Sequence, residues 1–133
     1  MAYGRIAHEY RKNAVNGASP LQLVIMLYDG ALRFIESGKH SMAHQDFVRQ
    51  NDQLQRAQNI ILELMSCLDM QQGGDVAKNL LAIYTYVLEE LVRGNCEDKP
   101  ERLDRCMKIL SDLRESWVAI DGQGRSAGEA IAA

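Results

Sequence analysis

An all-α protein, folded as an antiparallel four-helix bundle, is the fold class that three features of this sequence predict. Apolar residues recur at spacings of three and four through four long segments. Only two prolines occur, Pro20 and Pro100, and both sit where a helix can start. Strand signals are weak, with no sustained alternation and no hairpin dipeptide between apolar runs. The linkers between segments are short, which makes consecutive helices antiparallel neighbours.

The first helix is expected from Pro20 to about Ser37, ending near Gly38. Ser19 can cap it with its hydroxyl, and Pro20 suits the first helical position because the missing N–H has no intrahelical partner there. The second runs from about Ala43 to Asp69. Phe47, Leu54, Ile61 and Leu68 form its seam at seven-residue spacing, with Ala57 and Leu64 between them. Gln71-Gln72-Gly73-Gly74 then breaks the helix. Asp75 can cap the third, which runs to about Arg93 with Val76, Leu80, Tyr84 (or Ile83), Val87 and Leu91 inward. Gly94-Asn95 offers a left-handed stop. Pro100 starts the fourth, with Glu101 favourable to the helix dipole in its first turn and Leu103, Met107, Leu110 and Trp117 on the buried face. Residues 1–120 thus read as one domain. Within it, Met1 to Gly17 is a short helical segment, carrying Tyr3, Ile6 and Tyr10, that docks on the bundle. Asp121 to Ala133 is Gly/Ala-rich and reads as a flexible tail.

Composition narrows the function. The chain has 133 residues, 47% hydrophobic and 25% charged, with a net charge of −3, so it can bury a core and stay soluble. Its mild acidity argues against a nucleic-acid or anionic-membrane surface. Cys67, Cys96 and Cys106 form no CxxC pair, and an odd set of thiols suits a reducing cytosol rather than a disulfide framework. No stretch approaches the ~18 apolar residues of a membrane span.

Catalytic and metal chemistry finds little support. Di-iron bundles use inward Glu-x-x-His pairs, and the sequence has none. His40 and His44 are four apart but fall at the polar start of the second predicted helix, and His8 stands alone. A histidine phosphotransfer or metal-binding bundle is therefore the alternative rather than the main reading. Gly73-Gly74 lacks the lysine and spacing of a phosphate loop. Cys67 and Cys106 lie among apolar neighbours, as structural thiols do. No catalytic residue, cofactor or metal ligand is expected.

What remains is surplus apolar area. From Leu21 to Tyr28 only Gln22 is polar, more than the apolar stripe of a one-sided helix. If Leu23, Met26, Leu27 and Phe34 serve the core, then Leu21, Val24, Ile25, Tyr28 and Leu32 need other cover. Permanent wrapping by neighbouring helices and a partner helix laid in a groove both supply it. Tyr84 and Tyr86 lie about 200° apart around their helix, so Tyr86 shares the polar side with Asn79, Ala82, Glu89 and Arg93. There it is a lone surface aromatic or part of a contact patch.

Several blocks occur together in order. Tyr10 precedes Ala18-Ser19-Pro20, Leu21-Gln22-Leu23 and Met26-Leu27-Tyr28-Asp29-Gly30-Ala31. Then come Ala57-Gln58-Asn59-Ile60-Ile61-Leu62-Glu63-Leu64, Leu68-Asp69 with Gly73-Gly74, Asn79-Leu80 and Leu81-Ala82-Ile83-Tyr84-Thr85-Tyr86. Leu110, Leu113 and Trp117 close the set. Over about residues 3–118 the chain resembles the FliS family of flagellar secretion chaperones. The family more often has aspartate where this chain has Thr85. The resemblance implies a cytosolic export chaperone, not an enzyme, that takes the disordered C-terminal segment of flagellin into apolar grooves. It implies delivery to the flagellar export gate, with no cofactor and no membrane insertion. Ile6 and Tyr10 would cover part of the groove until the client arrives. The expected partner-binding residues are Ile6, Tyr10, Leu21, Val24, Ile25, Tyr28, Leu32 and Tyr86. Weak homodimerisation through the same groove is left open.

Overall fold

In the computed structural model, residues 17–123 are described. Four helices follow in order: α1 (Pro20–Ala43), α2 (Phe47–Ser66), α3 (Gly74–Glu97) and α4 (Pro100–Gln123). No strand occurs among the described residues. The N-terminal set Tyr3, Ile6 and Tyr10, and the tail beyond Gln123, lie outside them. Asp121 to Gln123, expected in the tail, are helical.

α1 packs on α2, α2 on α3, α3 on α4, and α4 on α1, closing a ring around one core. Named contacts fix the directions. Lys39 pairs with Asp104 and Asp29 with Arg114, so α4 runs antiparallel to α1. Gln50 reaches Asn95 across α2 and α3, and Arg102 reaches Glu90 across α4 and α3. The bundle is therefore up-down-up-down.

The start of α1 follows its sequence signals. Ser19 Oγ accepts from the Gln22 N–H at 3.1 Å, and Gln22 Oε1 accepts from the Ser19 N–H at 3.0 Å, a complete capping box on Pro20 at the first position. Its end does not. Gly38 is not a stop; α1 continues to Ala43. The glycine is there for contact, because a Cβ on Gly38 would stand 2.5 Å from Leu54 Cδ2 and 2.6 Å from Leu54 Cγ. α2 consequently begins later than expected, at Phe47, with Asp46 accepting from the Arg49 N–H at 3.2 Å. Leu54 is fully buried and has little room to withdraw. Gly38→Ala should therefore lower unfolding stability by about 1–2 kcal/mol, despite alanine's better helix propensity, as read by urea denaturation. An unchanged or raised midpoint would show that the α1–α2 approach is loose.

The other boundaries shift for similar local reasons. α2 stops at Ser66, and the Asp69 carboxylate then takes the N–H groups of Gln71 and Gln72 at 3.1 and 2.9 Å, shaping the turn. Asp75 lies in the first turn of α3 rather than capping it; Gly73 is the N-cap. Gly94-Asn95 does not end α3. Gly94 lies against Leu103, and the helix runs on until Asp98 adopts a left-handed conformation (φ 54°). Aspartate tolerates that region. Asp98 and Asn95 both accept from Gln50 Nε2, at 2.9 and 3.0 Å, which ties the start of α2 to the end of α3.

The core contains Leu54, Ala57, Ile61 and Leu64 of α2, Leu80, Tyr84, Val87 and Leu91 of α3, and Leu103, Leu110 and Trp117 of α4, as expected. Leu68, Ile83 and Met107 pack against its margin. Two expectations fail. Phe47 is 54% exposed because it sits at the first residue of α2, at the end of the bundle, and Val76 is 50% exposed while Ala77 turns inward in its place. Cys106 joins the core, with its thiol 3.6 Å from the Val87 carbonyl and its pKa pushed up to about 12 by burial. It is a packing residue with a thiol that stays protonated.

Across the core, the hydroxyls of Tyr28 and Tyr84 share a hydrogen bond of 2.6 Å. It joins α1 to α3, the diagonal pair. Burial raises the pKa of both phenols, so both remain neutral. The Trp117 side chain lies at the same hydroxyl of Tyr28. Each tyrosine thus satisfies the other where water has no access.

Candidate binding surface

The buried face of α1 is rotated from the expected one and keeps only Leu27 of the four residues assigned to the core. Leu21, Val24, Leu27, Tyr28, Ala31 and Ile35 form the buried stripe, at spacings of three and four. Leu23 and Phe34 are half-buried, and Met26 is exposed. Leu21, Val24 and Tyr28 therefore stand in the core. Gly38, on the same side, admits Leu54 of α2. Of the expected contact residues, Ile25 and Leu32 lie at the margin of the core and Tyr86 is 43% exposed. Ile6 and Tyr10 fall outside the described residues.

Two of the exposed large apolar residues, Tyr86 and Val118, border seams beside α4. The first lies between α1 and α4. The register set by Lys39–Asp104 and Asp29–Arg114 puts Val118, exposed, opposite Ile25, half-buried. Leu32 continues the same side of α1 one turn beyond Asp29. Leu32 lies between the two salt bridges, and Ile25 and Val118 lie about one turn beyond Asp29–Arg114.

The second seam lies between α3 and α4. Tyr86, Asp104, Arg105, Lys108 and Ile109 surround a shallow depression of about 380 Å³. Beside it, Arg102 donates to both carboxylate oxygens of Glu90 at 3.2 and 2.9 Å. That contact, with the Tyr86 hydroxyl nearby, holds the Glu90 carboxyl below its ordinary range. The pair fixes α3 against α4 under the tyrosine, so the Tyr86 ring stands on a rigid base. Val118 and Ile109 were not singled out in the sequence. Only the contacts of α4 with α1 and α3 reveal that they border seams.

No group of three or more His, Cys, Asp or Glu side chains able to hold a metal occurs among the described residues. His40 and His44 stack with ring centroids 4.2 Å apart, and His44 Nδ1 is engaged with the His40 carbonyl at 2.9 Å. They lie at the end of α1 rather than the start of α2. No disulfide joins the cysteines. No described helix is long and apolar enough to cross a membrane.

The described residues thus form an all-α helical bundle with shallow apolar seams on its outside. The chain belongs to the FliS family: the family model for flagellar protein FliS matches residues 3–124. It is similar to the flagellar secretion chaperone FliS of Vibrio cholerae, 32% identical over 116 residues, which is 87% of this chain and 83% of that protein. It is likewise 33% identical over 108 residues to the flagellar secretion chaperone FliS of Bacillus subtilis, covering 81% and 80% of the two chains. With the protein of that name from Salmonella typhimurium it shares 32% over 120 residues, 90% and 87% of the two chains.

Proposed function

We propose that this protein is a cytosolic chaperone that binds the disordered C-terminal segment of flagellin along the seams flanking α4. It keeps that segment from polymerising and supports its delivery to the flagellar type III export apparatus. The observation that carries the reading is the exposure of Tyr86 and Val118, beside the partly buried Ile25, Leu32 and Ile109, in a chain of this family.

The magnitudes favour an extended client. A fully buried large apolar side chain contributes ~1.5–3 kcal/mol. The seam residues are already partly covered, so each has about half of that left to give. Association costs about 4–15 kcal/mol, and ordering a disordered segment costs about 2–5 kcal/mol more. One seam is too small to offset this. A client that lies as short helices along both seams, around α4, buries enough. It also occupies the apolar faces through which flagellin would meet its own kind. Binding of this sort involves no catalytic step. Ile6 and Tyr10 act in this scheme as a movable cover on the same surface, and a second copy of the chain can compete weakly for it.

Mixing the protein with flagellin that carries or lacks its C-terminal segment tests the reading. A complex is expected with the intact flagellin alone. Equal binding to both, or to neither, would overturn it.

A further inference from the structure

The seam between α1 and α2 has a different chemistry from those beside α4. Arg33, Phe34, Glu36 and His40 from α1 and Arg49 and Gln53 from α2 line a groove of about 560 Å³. Arg56 lies over the Phe34 ring, 5.9 Å from its centroid, with its Nε held by Asp52 at 3.1 Å. Ring and carboxylate together fix the guanidinium, so less freedom is lost when it binds. Arg33 and Arg49 are exposed and make no ion pair with the described residues. Within a chain of net charge −3, the groove is lined by two arginines and one carboxylate, Glu36, around an aromatic floor, with the Arg56–Asp52 pair beside it.

We propose that the α1–α2 groove is a second docking surface, for an acidic amphipathic helix of a protein partner, separate from the flagellin seams. An apolar side chain of that helix rests on Phe34, and its carboxylates meet Arg33 and Arg49 from either wall. Arginine forks match carboxylates in two-point contacts, and a partly covered aromatic supplies the apolar anchor. The groove belongs to α1 and α2, whereas the client seams belong to α4 with its two neighbours. Both surfaces can therefore be occupied together.

The test is a nitrogen-15 NMR titration of the full chain with a synthetic acidic helical peptide of about 18 residues, long enough to hold helix, built from Glu, Ala and Leu with one central Phe. A peptide with Lys in place of Glu and a single-stranded DNA oligonucleotide of equal charge are titrated in parallel. The acidic peptide is expected to shift the amides of Phe34, Arg49 and Gln53 and to bind more weakly as salt rises from about 50 to about 500 mM. The double variant Arg33→Glu/Arg49→Glu should weaken it about tenfold or more while flagellin binding stays as in the wild type. Both positions are on the surface, and circular dichroism verifies that helix content is kept. Equal affinity for the variant, shifts confined to other seams, or equal binding of the Lys peptide or the oligonucleotide would overturn the proposal. Flagellin binding is read separately, so either reading can fall alone.

Discussion

Tyr84→Ala is expected to remove about 4 kcal/mol of unfolding stability, the range for deleting a large buried aromatic. The loss has two parts. The ring is 1% exposed and packs among Tyr28, Val87 and Leu91 at the centre of the bundle, so truncation leaves a cavity that rigid helices cannot close. The Tyr28 hydroxyl also loses its 2.6 Å partner in a place water does not reach. Domains of this size have only about 5–15 kcal/mol in total, so the variant should sit near the edge of folding at body temperature. Tyr84→Phe separates the parts. It keeps the ring and should cost about 1–2 kcal/mol for the orphaned hydroxyl. Urea denaturation followed by circular dichroism measures both. A Tyr84→Phe loss as large as that of Tyr84→Ala would mean that the diagonal hydrogen bond, not packing, dominates this core.

Tyr86→Asp should weaken flagellin binding about thirtyfold or more, with folding unaffected. A tyrosine at the centre of a contact patch is worth ~2 kcal/mol or more when truncated, and a carboxylate beside Glu90 would also have to be desolvated by the client. Because Tyr86 is 43% exposed and outside the core, its loss leaves the bundle intact. Val48→Asp is the matched control. Val48 is 85% exposed at the start of α2, away from both seams, and its substitution should leave affinity unchanged. Isothermal titration with the C-terminal flagellin segment reads both variants. Equal losses would point to non-specific apolar contact.

The fold was legible in the sequence because helical spacing recurs through each segment and the start signals at Pro20 and Pro100 agree with it. The Ser19–Gln22 cap and the helix starts near Pro20 and Pro100 rest on local hydrogen bonding and fixed φ, which sequence reports directly. Gly38 and Gly94 misled because a glycine that ends a helix and one that admits a neighbouring leucine look alike until the neighbour is placed. The site was less legible for the same reason. Leu21, Val24 and Tyr28 are as apolar as Ile25 and Leu32, and only the angle at which α2 and α4 meet α1 decides which face closes. Tyr28 is the clearest case. A tyrosine on a crowded apolar helix suggests an interface, but its hydroxyl finds Tyr84 56 residues away, on the diagonal helix, and so belongs inside. Tyr86, by contrast, was placed outside by its phase against Tyr84 alone.

The most direct measurement is site mapping. The chain, labelled with nitrogen-15 and with carbon-13 methyl groups, is titrated with the C-terminal segment of flagellin. Perturbations should run along the α1–α4 seam at Ile25, Leu32 and Val118 and along the α3–α4 seam at Tyr86 and Ile109, leaving Phe34 and Val48 unmoved. Perturbations confined to the α1–α2 groove, with the residues beside α4 silent, would contradict a client held around α4.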